Sequence, residues 1–71
     1  VVRVESSMIN SIFFADGVLF VQFRNGSIYR YEEVPRSVYD SLLQASSKGK
    51  YFLRNVRDLY PTTKIREKTG R

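Results

Sequence analysis

Val18-Leu19-Phe20-Val21-Gln22-Phe23-Arg24-Asn25-Gly26-Ser27-Ile28-Tyr29-Arg30-Tyr31 reads as a β-hairpin. Two runs rich in β-branched and aromatic residues flank an Arg24-Asn25-Gly26 turn signal. The register follows from the loop length. A two-residue Asn25-Gly26 turn pairs Phe23 with Ile28 and Val21 with Arg30, which scatters the apolar residues. A three-residue loop with Gly26 in the left-handed position of a bulge pairs Phe23 with Ser27, Val21 with Tyr29 and Leu19 with Tyr31. The second register collects Leu19, Val21, Phe23, Tyr29 and Tyr31 on one face, and leaves Val18, Phe20, Gln22, Ile28 and Arg30 on the other. A slip by one residue would turn the whole apolar set outward, so the second register is expected.

Reading outward, Met8 to Phe14 is a preceding strand, with Ile12 and Phe14 on one face and Phe13 on the other. Ala15-Asp16-Gly17 joins it to the hairpin. Downstream, Val34-Pro35 ends the sheet, because proline holds the residue before it extended and fits a helix start. Val38, Leu42 and Ala45 then recur at helical spacing, with Tyr39 and Leu43 beside them. Ser46-Ser47 breaks that helix. Ser47 is a candidate N-cap for a second helix running from Lys48 to about Arg57, with an apolar stripe of Phe52 and Val56. Thr62 to Ile65 suits a short edge strand. The expected fold is α+β: a three-stranded antiparallel meander, then two helices packed on one face, with a short C-terminal edge strand. The expected domain spans 1–65, and 66–71 form a polar basic tail.

The chain has 71 residues, with 42% hydrophobic residues, five Phe, five Tyr and no Cys. That length suits one domain with a thin core, in which aromatics carry much of the burial. No disulfide or zinc cluster can reinforce it. No apolar run approaches a membrane span, so no membrane association is expected, and the absence of cysteine fits a cytoplasmic setting. The chain starts Val1-Val2; removal of an initiator Met and a segment cut from a longer protein both stay open. Charge is unevenly spread. Residues 47–71 hold eight Lys/Arg against two acids, whereas residues 1–46 hold four against five. A basic back half behind a near-neutral aromatic front half points to an anionic partner.

An ordered series of residues resembles the KTSC domain, a short bacterial and phage module named for its occurrence at the C-terminus of some lysyl-tRNA synthetases and also found alone. The series runs from Val4 to Tyr60. It comprises Ser6-Ser7, Ile9, Leu19-x-Val21-x-Phe23, Gly26, Tyr29-x-Tyr31, Val34-Pro35, Val38-Tyr39, Ala45-x-Ser47-Lys48-Gly49, Tyr51-Phe52, Arg57 and Tyr60. Three places depart from it: Phe13-Phe14 where a Gly-Tyr pair is frequent, Leu53 where Asn is common, and Val56 where Ile is common. The resemblance implies a small α+β domain and an RNA-binding role.

Three groups of residues are candidates for contact with a ligand. Ser47, Lys48, Gly49 and Lys50 surround a helix start, where backbone N–H groups and the helix dipole favour a phosphate. The plainer reading is a cap and a turn between helices. Lys50, Arg54 and Arg57 stand at i, i+4 and i+7, away from the apolar stripe. They would neutralise nucleic-acid phosphates, or simply form a solvated face. Tyr29, Tyr31 and Tyr51 are base-stacking candidates; the plainer reading makes Tyr29 and Tyr31 part of the core. Phe20 and Ile28, on the far face, are either covered by neighbouring chain or form a patch that binds something, with a homodimer as the expected occupant.

Catalysis is not expected. The chain has no His and no Cys, which removes the commonest general bases, the thiol nucleophile and most transition-metal ligands. No cofactor is implied. The leading expectation is a non-catalytic module that binds nucleic acid, RNA above all. A protein-interaction or oligomerisation module and a binder for a small anionic nucleotide stay open beside it.

Overall fold

The computed structural model describes residues 2–3 and 8–66. Five antiparallel strands form one sheet in chain order: β1 (Val2–Arg3), β2 (Ile9–Ala15), β3 (Val18–Phe23), β4 (Ile28–Tyr31) and β5 (Thr62–Arg66). Two helices, α1 (Arg36–Gln44) and α2 (Lys48–Asn55), lie between β4 and β5 in the chain. The fold is α+β, as the residue pattern implies, with the additional short strand β1 at the far edge. Ser6-Ser7 and residues 67–71 lie outside the described residues. β5 runs one residue beyond the expected domain end, so Arg66 belongs to the sheet.

The β3–β4 register is the one that gathers the apolar side chains. Leu19 pairs with Tyr31 and Val21 with Tyr29. The turn closes with Phe23 N–H donating to the Ser27 carbonyl at 2.9 Å, and Gly26 takes φ 95°, where a side chain would be strained. The Asn25 side-chain oxygen accepts from both the Ser27 N–H (2.9 Å) and its hydroxyl (2.7 Å). In β2, a bulge at Asn10 keeps Ile9 opposite Phe23, while Ser11 pairs with Gln22.

The core lies between this face and the helices. Ile9, Ile12, Leu19, Val21 and Tyr31 from the sheet meet Val34, Leu42, Phe52 and Val56. α1 contributes Leu42, flanked by half-buried Val38, Tyr39 and Leu43; Tyr39 stacks on Phe14 with ring centroids 5.0 Å apart. α2 contributes Phe52. Its ring meets Phe23 and Tyr31 edge-on at 5.5 and 5.4 Å, a geometry that adds to plain area burial. Ser47 caps α2, its hydroxyl accepting from Lys50 N–H at 3.4 Å.

Removing the Phe52 ring leaves a void against Phe23 and Tyr31 of the sheet. Phe52→Ala is expected to cost about 3–5 kcal/mol, against a total stability of roughly 4–11 kcal/mol for a chain of this length. Urea unfolding followed by circular dichroism checks this. Leu53→Ala, one residue along but 45% exposed, is expected to cost less than about 1 kcal/mol in the same assay.

Candidate nucleic-acid interface

α2 does not reach Arg57. The helix ends at Asn55, and Val56 leaves helical geometry with φ −128°, ψ −48°. Both Val56 N–H and Arg57 N–H donate to the Phe52 carbonyl at 3.0 Å; the second is a wider i→i−5 bond of the kind that closes a helix end. The chain then swings back toward the sheet, where Glu32 N–H donates to the Pro61 carbonyl (2.9 Å) and β5 joins β4. Val56 is buried at this corner, so the exit is fixed by burial of the stripe rather than by a helix-breaking residue.

This exit divides the expected cationic stripe. Lys50 and Arg54 stay exposed on the outer side of α2. Arg57 instead lines an open groove of about 440 Å³ between the α2 exit and the β4–β5 side of the sheet. Phe23, Tyr29, Tyr31 and Phe52 supply aromatic lining. Met8, Leu53 and Thr62 add further wall, and Asn25, Ser27 and Asp58 supply polar groups. A concave site that combines aromatic walls with a few convergent polar groups can take a small ligand or a single base. Arg57 makes a loose ion pair with Asp58, 3.9 Å apart with both side chains largely in solvent, so it holds the guanidinium weakly. Among the described residues, Lys50 and Arg54 have no carboxylate within 4 Å.

The tyrosines separate. Tyr31 is withdrawn from the stacking set: it is 3% exposed and its ring abuts Phe52, so no base can lie on it. Tyr51 is half-buried against the core and does not line the groove. Tyr29 is half-buried and does line it. Its ring packs edge-on to Phe23 at 5.6 Å and alongside Tyr31 at 6.5 Å, and Lys64 Nζ stands 5.9 Å from its centroid. The β4–β5 register pairs Tyr29 with Lys64, placing a second cation at the aromatic wall. Lys64 was outside every sequence candidate; carrying the edge-strand register one step further would have found it.

The α2 start carries less than its composition suggests. Lys48 Nζ donates to the Ala45 carbonyl at 3.1 Å, at the end of α1, and the Ser47 hydroxyl is occupied by the Lys50 N–H. Ser47 and Lys48 thus join the two helices. Gly49 and Lys50 sit in the first turn of α2, away from the groove lining. Among the described residues, no group of three or more His, Cys, Asp or Glu side chains is placed to hold a metal ion, and no helix is long and apolar enough to cross a membrane.

Burial pushes the Tyr31 phenol up to about 12 from its ordinary 10.0. Tyr29 beside it acts in the same direction, while Arg57 lowers it and Asp58 raises it slightly. The folded state therefore holds this proton more tightly than the unfolded chain does. The resulting stability is fully present below about pH 10 and is lost as pH rises through about 12. Absorbance titration at 295 nm is expected to show one of the five tyrosines ionising last, together with loss of structure. Tyr31→Phe is expected to remove that late step and flatten the alkaline loss of stability.

A family model described as KTSC domain matches residues 5–60. A protein of Stutzerimonas stutzeri (strain A1501) is 40% identical over 53 residues, covering 72% of this chain and 75% of that protein. A protein of Tsukamurella paurometabola is 42% identical over 50 residues, covering 68% and 75%. The crystal structure of a KTSC domain protein from Yersinia pestis superposes with a TM-score of 0.83 at 34% identity, covering 89% of this chain and 92% of that one.

Proposed function

The chain belongs to the KTSC domain family, and we propose that it is a non-catalytic module that binds single-stranded RNA through the groove beside α2. One observation carries this reading: Arg57 and Tyr29 line the same open groove, with Lys64 over the Tyr29 ring. A single-stranded segment would place one base against the Tyr29 side of the groove, with the Lys64 charge beside it. Base–aromatic stacking contributes roughly 1–3 kcal/mol. The neighbouring phosphates would meet Arg57 and then Arg54 and Lys50 on the outer side of α2. Lys50 and Arg54 are separated by about 6 Å of helix rise, a span comparable with the repeat of an extended strand. Asn25, Ser27 and Asp58 at the groove offer donors and acceptors to a base edge.

A duplex hides its bases within the stack, so it presents phosphates to Arg57 but nothing to Tyr29. Fluorescence anisotropy with a labelled single-stranded oligoribonucleotide is the test. Binding is expected to fall with salt, with a log–log slope of roughly −2 to −3 for three or four phosphate contacts on a single strand. Arg57→Ala and Arg54→Ala are each expected to reduce that slope by roughly 0.7. Tyr29→Ala is expected to weaken binding about 5- to 150-fold while leaving the slope in place. Duplex RNA is expected to bind no better than Tyr29→Ala binds the single strand. No binding at low salt, or binding that the three variants leave unchanged, would overturn the reading; saturable binding of a mononucleotide as tight as that of the oligonucleotide would replace it with a nucleotide-sequestering role.

A further inference from the structure

Among the described residues, the sheet is covered by helices on one side only. Its other side bears Phe13, Phe20 and Ile28 near the centre. Phe13 and Phe20 pair across β2 and β3 with ring centroids 5.9 Å apart, and Phe13 is 43% exposed. They border an apolar depression of about 150 Å³. β1 extends the sheet in the plane at the β2 edge and does not fold over this side. At the opposite edge, the β4–β5 bulge leaves Ile65, 49% exposed, unpaired between Lys64 and Arg66, with Arg66 opposite Ile28.

Two features identify the partner this side suits. First, the polar groups within it are already paired inside the chain. The Gln22 side-chain oxygen accepts from Asn10 Nδ2 at 3.3 Å and from the Ser11 hydroxyl at 3.1 Å. Arg30 donates from Nε and Nη2 to one Glu32 oxygen at 3.1 and 2.8 Å. Covering the face therefore strands no lone charge. Second, its two ends carry opposite charge. Asp16 and Glu33 flank the end where β2 turns into β3, beside Gly17 and Val34. Arg66 flanks the other end, opposite Ile28 in the β4–β5 register.

We propose that this uncovered face is the interface of a weak homodimer: two copies stack back to back, related by a two-fold axis lying between the sheets and perpendicular to the strands. That axis brings the acidic end of each copy over the basic end of the other, whereas an axis along the strands sets like charges together. An isologous contact requires such self-complementarity, and a single face carrying both charges supplies it. Aligned sheets pack about 10 Å apart. Four strands spaced about 4.8 Å and about six residues long give a flat footprint of roughly 400 Å² per copy, before side-chain relief is counted. That places the pair near the small end of specific interfaces, below about 1,200 Å² in total, so association is expected to depend on concentration. The helices, with Lys50, Arg54 and Arg57, remain on the outside of both copies. The dimer holds whether or not the groove binds RNA.

Sedimentation equilibrium of the full chain at low salt tests this. The mass is expected to rise from 8.3 kDa toward twice that value as concentration approaches about 1 mM, the range of small interfaces. Phe13→Glu is expected to remain a monomer throughout with an unchanged circular dichroism spectrum. Arg66→Glu is expected to weaken association at least tenfold, and Asp16→Lys combined with Arg66→Glu to restore most of it. A wild-type monomer at about 1 mM overturns the proposal, as does a dimer that survives Phe13→Glu. A chain that dimerises only after removal of residues 67–71 also overturns it, because the chain's own end would then be the occupant.

Discussion

The ring of Phe52 ties the second half of the molecule to the first. It is fully buried on the inner side of α2, and it stands edge-on to Phe23 of β3 and Tyr31 of β4. A chain this short buries little surface for its size, so one aromatic between sheet and helix is a large share of what holds the layers together. The contact also positions everything downstream of it. With Phe52 seated, Val56 follows it into the core. The helix must then end, and the chain can return to lay β5 against β4.

The same constraint builds the groove. Had α2 continued to Arg57, that guanidinium would have joined Lys50 and Arg54 on a solvated helix face. Because the backbone turns at Val56, Arg57 lies beside the aromatic wall of the sheet instead, and the return strand brings Lys64 to the Tyr29 ring. Two cations and a half-buried tyrosine thus come together from three separate elements. None of them is adjacent to another in the chain. The likeness to other KTSC domain proteins extends over the α2 exit up to Tyr60.

Local chemistry made most of the fold legible. Asn25-Gly26 with its flanking alternation specifies the hairpin register; Pro35 and Ser47 mark the helix starts; the Phe52/Val56 spacing marks the buried side of α2. The site was less legible, for identifiable reasons. Helical periodicity extends naturally through Val56 to Arg57, and no Gly or Pro marks the break; only tertiary burial of Val56 ends the helix. Tyr29 and Tyr31 alternate identically on one strand, yet their fates differ. Tyr31 lies under Phe52, whereas Tyr29 lies nearer the open side beside Lys64. That difference depends on where α2 crosses the sheet, which no local pattern encodes. The lysines after Ser47 look like a phosphate cradle in composition, but Lys48 is engaged by the end of α1.

On the proposed reading, one surface, held in place by Phe52, presents Tyr29 and Arg57 together to a single-stranded polyanion. Titrating the isotope-labelled chain with a short single-stranded oligoribonucleotide and following backbone and aromatic NMR signals residue by residue tests it most directly. The largest shifts are expected at Tyr29, Leu53, Arg57, Thr62 and Lys64, with smaller ones at Arg54 and Lys50. A spectrum that does not change, or shifts confined to Phe13, Phe20 and Ile28 on the far side of the sheet, would contradict it.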